Sequence, residues 1–228
     1  MRGDTSTDDL ARQRRFTADA AHELSTPLAG LRVELEEARL HPEETDLHRL
    51  IDSAIRDVNR LEAIVTDLLL LARVTGCAAM QCRPIDLADT VRSHVIPRPG
   101  DPDIRLRTVP EVMVNAVPAH LGRAVTCLLD NARRHARRLV QVQVSRYDCT
   151  AELTVTDDGP GIPVQERERI FERFARLDTA RDRHQGGTGL GLTIARDIAH
   201  AYSGTLHVEE ASGGGARFVF RLPLHRVA

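Results

Sequence analysis

From Leu24 onward the apolar positions run Leu28, Leu31, Leu35 and Ala38, in steps of four, three, four and three. That is the period of a helix laid along a partner helix. It predicts a first long helix from near Asp8 or Asp9 to about Leu40. His41-Pro42 should end it, since proline disfavours helical geometry in the residue before it. A second helix is expected after the cluster Glu43-Glu44-Thr45-Asp46, because Leu47, Ile51, Ala54, Val58, Leu61, Val65, Leu68 and Ala72 keep heptad spacing. Two amphipathic helices joined by a short turn make an antiparallel hairpin. A hairpin alone buries only part of each stripe, so two copies pairing into a four-helix bundle complete it. The same heptads also suit a coiled-coil stalk with no chemistry of its own.

Periodicity stops over residues 75–84, which reads as a linker between a domain at 1–74 and another at 85–228. Beyond it, Ile104 to Val109 and Val112 to Val117 are short candidate strands, and Pro118 opens a helix to about Arg137. Val140, Val142 and Val144 alternate with Gln141 and Gln143, and Leu153 and Val155 with Thr154 and Thr156, which indicates a sheet with one buried face. Helices are expected at about 164–176 and 190–203, the latter stopped by Gly204, with a last strand from Ala216 to Leu222. The fold class is α+β, a helical hairpin followed by an α/β sandwich.

Composition narrows the chemistry. The net charge of -2 and the scarcity of aromatics give no reason to expect nucleic acid. Residues 1–74 carry 15 acids and 10 arginines, leaving the remainder net basic, an asymmetry that suits an anion-handling second part. All 31 of the Lys and Arg residues are arginine, so any phosphate-binding cation must be a guanidinium. No apolar run approaches the roughly 20 residues of a membrane-spanning helix, and no secretion signal is apparent. Any membrane anchor is therefore expected outside this stretch, and a cytoplasmic location follows. Cys77, Cys82, Cys127 and Cys149 lack metal-site spacing and read as reduced thiols.

Three stretches carry candidate chemistry. His22-Glu23-Leu24-Ser25-Thr26-Pro27 places an imidazole, a carboxylate and a hydroxyl within about a turn of helix. His22 lies two residues before Leu24, about 200° around the helix at 100° per residue, and should face water or a second domain. Pro27 cannot donate to the Glu23 carbonyl and crowds it, so the helix should bend or loosen just after His22. The spacing alone leaves a functional and an incidental histidine equally open. In the second part, a strand ending at Val155 leads into Asp157-Asp158-Gly159-Pro160-Gly161, and Gly186-Gly187-Thr188-Gly189-Leu190-Gly191 precedes a helix whose unpaired amides suit phosphate. Arg167 to Gln185, between the two loops, suits a mobile lid.

With these motifs in this order, the chain resembles the sensor histidine kinases of two-component signal transduction. Phe16 to Leu28 is similar to the family's histidine box and Leu128-Leu129-Asp130-Asn131-Ala132 to its asparagine box. Asp157 to Gly161 is similar to its first glycine box, Phe171-Glu172-Arg173-Phe174 to its phenylalanine box, and Gly187 to Gly191 to its second glycine box. The resemblance implies a homodimeric helical-hairpin domain followed by an ATP-binding sandwich of the histidine kinase, gyrase and chaperone type. It implies a transferase and phosphoprotein: ATP and Mg²⁺ phosphorylate His22, and the phosphoryl group passes to an aspartate of a response regulator.

The implied catalytic residues are His22 as acceptor, Glu23 as its hydrogen-bond partner or base, and Thr26 as the residue that holds water for dephosphorylating the regulator. Asn131 would ligate Mg²⁺, Asp157 would accept from the adenine amino group, and Arg134 and Arg176 would neutralise phosphate charge. Gly187, Gly189 and Gly191 would make close backbone contacts, with His135, Gly159, Gly161, Thr188 and Leu190 completing the nucleotide site. Ser25 stands where many members have arginine, and Cys127 where asparagine is frequent. A gyrase- or chaperone-like ATPase would carry glutamate at Cys127, and a nucleotide-binding scaffold would bind without transferring phosphate; both remain as alternatives.

Overall fold

The computed structural model describes residues 4–74, 82–175 and 188–225. The chain divides into two compact units, residues 1–69 and 70–228. The first holds helix α1 (Asp4–Leu40) and most of α2 (Leu47–Val74). The turn between them is closed by His41, whose amide donates to the Glu37 carbonyl, and α2 is capped by Asp46, whose Oδ1 accepts from the amides of His48 and Arg49. On α1, Ala20 and Pro27 are buried and Leu24, Leu31, Glu34 and Ala38 half-buried, a face repeating every three to four residues. Leu28 and Leu35 of the expected seam instead stand 58% and 48% exposed, as do Leu47 and Ile51 of α2 at 60% and 48%. One copy of the hairpin thus leaves an apolar stripe uncovered.

Pro27 does not interrupt α1. The hydroxyls of Ser25 and Thr26 donate back to the carbonyls of Ala21 (2.7 Å) and His22 (3.0 Å), within the turn in which Pro27 lacks an N–H for Glu23. Among the described residues no helix is long and apolar enough to cross a membrane.

The second unit runs β1 (Arg83–Asp86), α3 (Leu87–His94), β2 (Asp103–Thr108), β3 (Met113–Ala116), α4 (Pro118–His135), β4 (Leu139–Tyr147), β5 (Thr150–Asp157), α5 (Gly191–Ala201), β6 (Thr205–Glu210) and β7 (Ala216–Pro223). Five strands form one sheet in the order β2-β4-β5-β7-β6, with β2 parallel to β4 and the other pairs antiparallel; β1 and β3 make a separate antiparallel pair. In register across the sheet, Val142, Val155, Phe218 and Val208 form one buried row and Val144, Leu153, Phe220 and Leu206 the next. The apolar faces of α3, α4 and α5, including Val91, Leu121, Leu128, Ile194 and Ile198, are buried with them, giving two layers around one core.

Several elements depart from the sequence pattern. β1, α3 and β6 are too short to register as periodic segments: α3 shows only Leu87, Ala88 and Val91 as its buried face, and β6 only Leu206 and Val208. The helix expected at 164–176 is instead two single 3-10 turns, Val164–Glu166 and Arg169–Phe171. Its continuation is blocked at Phe174, which takes φ 61° so that its amide can donate to the Gly189 carbonyl. At the end of α5 the left-handed residue is Ser203 (φ 57°), not Gly204. Gly204 is required for another reason: a Cβ there would lie 2.0 Å from the Arg221 carbonyl.

Tyr202 joins α5 to the start of α4. Its hydroxyl accepts from the Val117 amide (3.1 Å) and lies 2.8 Å from Nδ1 of His120, within hydrogen-bond distance. Burial holds His120 below the ordinary value for histidine.

Two measurements test these contacts. Gly204→Ala should destabilise the fold by about 2–4 kcal/mol, whereas Ser203→Gly should stabilise it by about 0.5–1 kcal/mol, both read by denaturant unfolding. Because the His120 value is lowered in the folded state, the unfolded chain binds the proton more readily. The neutral ring's contribution is therefore complete above pH ~6.5 and is lost as pH falls through the folded-state value. Melting temperature should drop between pH 7.5 and 5.5, and less steeply in His120→Gln.

Candidate functional site: a nucleotide pocket and an exposed phosphoacceptor

The centre of the second unit's site is Asp157, the last residue of β5 and only 3% exposed. Its Oδ1 accepts from the amides of Gly159 (2.9 Å) and Ala216 (3.3 Å), which fixes the carboxylate plane. Its Oδ2 is buried and, among the described residues, has no hydrogen-bond partner. A carboxylate oxygen left in this way awaits a donor from elsewhere. The surrounding backbone is shaped by absent side chains: a Cβ on Gly215 would lie 2.0 Å from the Asp157 carbonyl, and one on Gly159 2.4 Å from the His135 carbonyl. Gly215 is a site-shaping residue that the sequence reading passed over, and the run Gly213-Gly214-Gly215 before a strand was the available signal.

The contact between Gly159 and His135 brings the end of α4 against the end of β5. Asp158 ties the same junction from the other side, its Oδ1 accepting from the amides of Arg137 (2.8 Å) and Arg138 (3.1 Å). These bonds, that of Arg138 foremost, hold the exposed Asp158 carboxyl below the usual carboxylate range. Asn131 is half-buried on the last turns of α4 and Arg134 is exposed there, while His135, the helix's last residue, lies at the junction with Gly159. Burial of its ring, with the Arg134 charge, lowers His135, while the Asp157 charge opposes that shift. The imidazole accordingly stays neutral near pH 7.

The second glycine stretch arrives from α5. Gly191 begins that helix and faces Cys127, whose Sγ would lie 3.5 Å from an added Cβ. No side chain caps α5, so its first amides are available to an anion. Gly189 has φ 71°, and a Cβ there would meet the Phe174 α-carbon at 2.8 Å. The Thr188 hydroxyl accepts from the Leu190 amide at 3.3 Å. Leu190 itself is fully buried. Phe171 packs edge-on to Phe218 and beneath the Arg196 guanidinium at 4.9 Å, and its carbonyl accepts from Thr193 Oγ1. These contacts dock the phenylalanine stretch onto α5. Gly161 (φ 75°) closes the first loop against Gly215. Arg176 and Gly187, also expected at the site, lie outside the described residues, as does most of the expected lid.

In the first unit, His22 is exposed, as its displacement from the seam predicts. Glu23 is half-buried, and its Oε2 lies 3.7 Å from Nη2 of Arg60 on α2, a partner that the sequence reading did not name. Thr26 is exposed, with its hydroxyl engaged to the His22 carbonyl. Among the described residues, no group of three or more His, Cys, Asp or Glu is placed to hold a metal ion.

A two-layer sandwich with an orphan carboxylate and amide-lined glycine loops defines a nucleotide-binding ATPase fold. Comparison with known proteins agrees. Residues 116–226 match the profile of the histidine kinase-, DNA gyrase B- and HSP90-like ATPases, and residues 12–76 that of the His Kinase A (phospho-acceptor) domain. The probable sensor histidine kinase TcrY of Mycobacterium tuberculosis is 38% identical over 220 residues, covering 92% of this chain and 46% of its own. The sensor protein RstB of Escherichia coli is 36% identical over 221 residues, covering 94% and 50%. The chain thus spans about half the length of these curated relatives. The solved mycobacterial sensor histidine kinase MprB is 31% identical with a TM-score of 0.57, over 64% of this chain and 99% of that one. The chain belongs to the sensor histidine kinases.

Proposed function

We propose that this chain is the kinase region of a two-component sensor: residues 85–228 bind ATP, and residues 1–74 form a homodimeric hairpin presenting His22 for phosphorylation and transfer to a response regulator. The observation that carries this reading is Asp157 Oδ2, a buried acceptor without a partner, which the adenine amino group would satisfy. The covered face of a four-helix bundle accounts for the exposed Leu28, Leu35, Leu47 and Ile51. The regulator is supported by a likeness in fold: histidine kinase ThkA, solved in complex with the response regulator TrrA, shares a TM-score of 0.76 over 96% of this chain at 19% identity. A membrane anchor, if the whole protein has one, belongs to segments beyond these residues, and the described part acts in the cytoplasm.

In the reaction, a ring nitrogen of His22 attacks the γ-phosphorus in line. The N–P bond forms as the P–O bond to the β-phosphate breaks, and ADP leaves with that electron pair. The proton on the other ring nitrogen is taken up by Glu23 or solvent as positive charge develops on the imidazole. Asn131 would hold Mg²⁺ through its amide oxygen, and the ion would supply charge neutralisation on the phosphates. Arg134, with Arg176, would add guanidinium donors; the first amides of α5 and the backbone of Thr188 to Gly191 would receive phosphate oxygens. Gly159 and Gly161 shape the adenine side, where the neutral His135 stands. Thr26, once its hydroxyl turns from the His22 carbonyl, would hold a water for dephosphorylating the regulator.

A thiol at Cys127 in place of a carboxylate disfavours direct activation of water, and hence a gyrase-like ATPase. Incubation with γ-labelled ATP and Mg²⁺ should give acid-labile label on the protein, lost in His22→Gln. Free phosphate alone would mark an ATPase, and neither product a scaffold. Asp157→Asn would present a donor to the adenine amino group and should weaken nucleotide binding about 100-fold by calorimetry, with melting temperature little changed.

A further inference from the structure

The inference below rests on His22 as phosphoacceptor. The carboxylate next to it does not stand alone: Arg60 Nη2 lies 3.7 Å from Glu23 Oε2, with the two side chains 24% and 20% exposed. The neighbouring Nε of the same guanidinium is buried and, among the described residues, has no hydrogen-bond partner. A buried N–H without an acceptor is a cost to the fold, so stability alone does not account for an arginine held in this way. A positive charge held on the carboxylate next to a reacting histidine has another use.

Phosphorylation would bring between one and two negative charges to His22, the residue next to Glu23 in sequence. Two anions on neighbouring residues repel one another unless a cation lies near them. Ser25, within the same turn, contributes none, since its hydroxyl is turned back to the Ala21 carbonyl. Arg60 reaches the site from α2, and its partly buried setting keeps its charge from being fully screened by solvent.

We propose that Arg60 is the positioning residue of the phosphoacceptor site: it holds the Glu23 carboxylate in place next to His22 and offsets the repulsion that this carboxylate exerts on the incoming phosphoryl group. The cation that Ser25 does not carry is thus supplied from the facing helix.

The test uses the full chain with γ-labelled ATP and Mg²⁺, comparing Arg60→Gln and Arg60→Lys, each also in a Glu23→Gln background. Arg60→Gln should lower kcat for His22 labelling about tenfold with KM for ATP within about twofold, since charge at the reacting centre and not nucleotide binding is altered. Arg60→Lys should recover most of the rate by restoring the charge. With Glu23→Gln the carboxylate repulsion is already gone, so removing Arg60 should cost less than about threefold. Labelling of His22 at the wild-type rate in Arg60→Gln overturns the inference alone. So does a lysine variant as slow as the glutamine one, or an undiminished cost in the Glu23→Gln background. Acid-labile label that persists in His22→Gln overturns the phosphoacceptor reading beneath it. Thermal melting of each variant separates loss of rate from loss of fold.

Discussion

The second unit is organised around a carboxylate that cannot be solvated. Asp157 ends the central strand β5, where its backbone is committed to the ladder with β4 and its Oδ1 to the amides of Gly159 and Ala216. A buried charge is tolerated only when it is hydrogen-bonded, so the loop after β5 and the start of β7 must both approach it. Their approach requires backbone without side chains at Gly159 and Gly215. Strand order follows the same demand, since β5 lies between β4 and β7, and these neighbours bring the α4 junction and the Ala216 amide to one end of the sheet. The apolar rows beneath supply the burial that makes an unsatisfied Oδ2 meaningful. In water it would simply be hydrated.

The long elements were legible because their periodicity is sustained. α1, α2, α4, β4, β5 and β7 all lie where heptads or alternation place them, and both glycine stretches sit at element ends as their conformational freedom suggests. What escaped was set by tertiary contact. A 3-10 geometry at Val164–Glu166 and Arg169–Phe171 is dictated by Phe174 reaching Gly189 and Thr193 reaching the Phe171 carbonyl, none of which is local in sequence. The end of α5 followed the same logic, with Ser203 taking the left-handed position while Gly204 answers to Arg221 on a distant strand.

Site chemistry divides along the same line. Asn131, Asp157 and the glycines of the two boxes could be singled out from motif order, whereas Gly215, Asp158 and Arg60 take their roles from partners 20 or more residues away. Asp158 shows this most simply. It reads in sequence as a second acid beside the first, yet in the fold it faces the opposite way and clasps the Arg137 and Arg138 amides. Adjacent acids on a strand end point to opposite faces, so only one can belong to the ligand and the other is free to serve the scaffold.

The exposed stripe on the hairpin gives this protein a threshold in cellular abundance. Helices that leave Leu28, Leu35, Leu47 and Ile51 in water gain their remaining stability from whatever covers them. If a second copy does so, folding and association become one equilibrium, and the fraction of well-formed hairpins rises with the amount of protein made. Expression level then sets more than the number of signalling units. A cell that dilutes this chain below its dissociation constant would hold intact nucleotide domains attached to frayed helices, so gene dosage itself would silence the histidine.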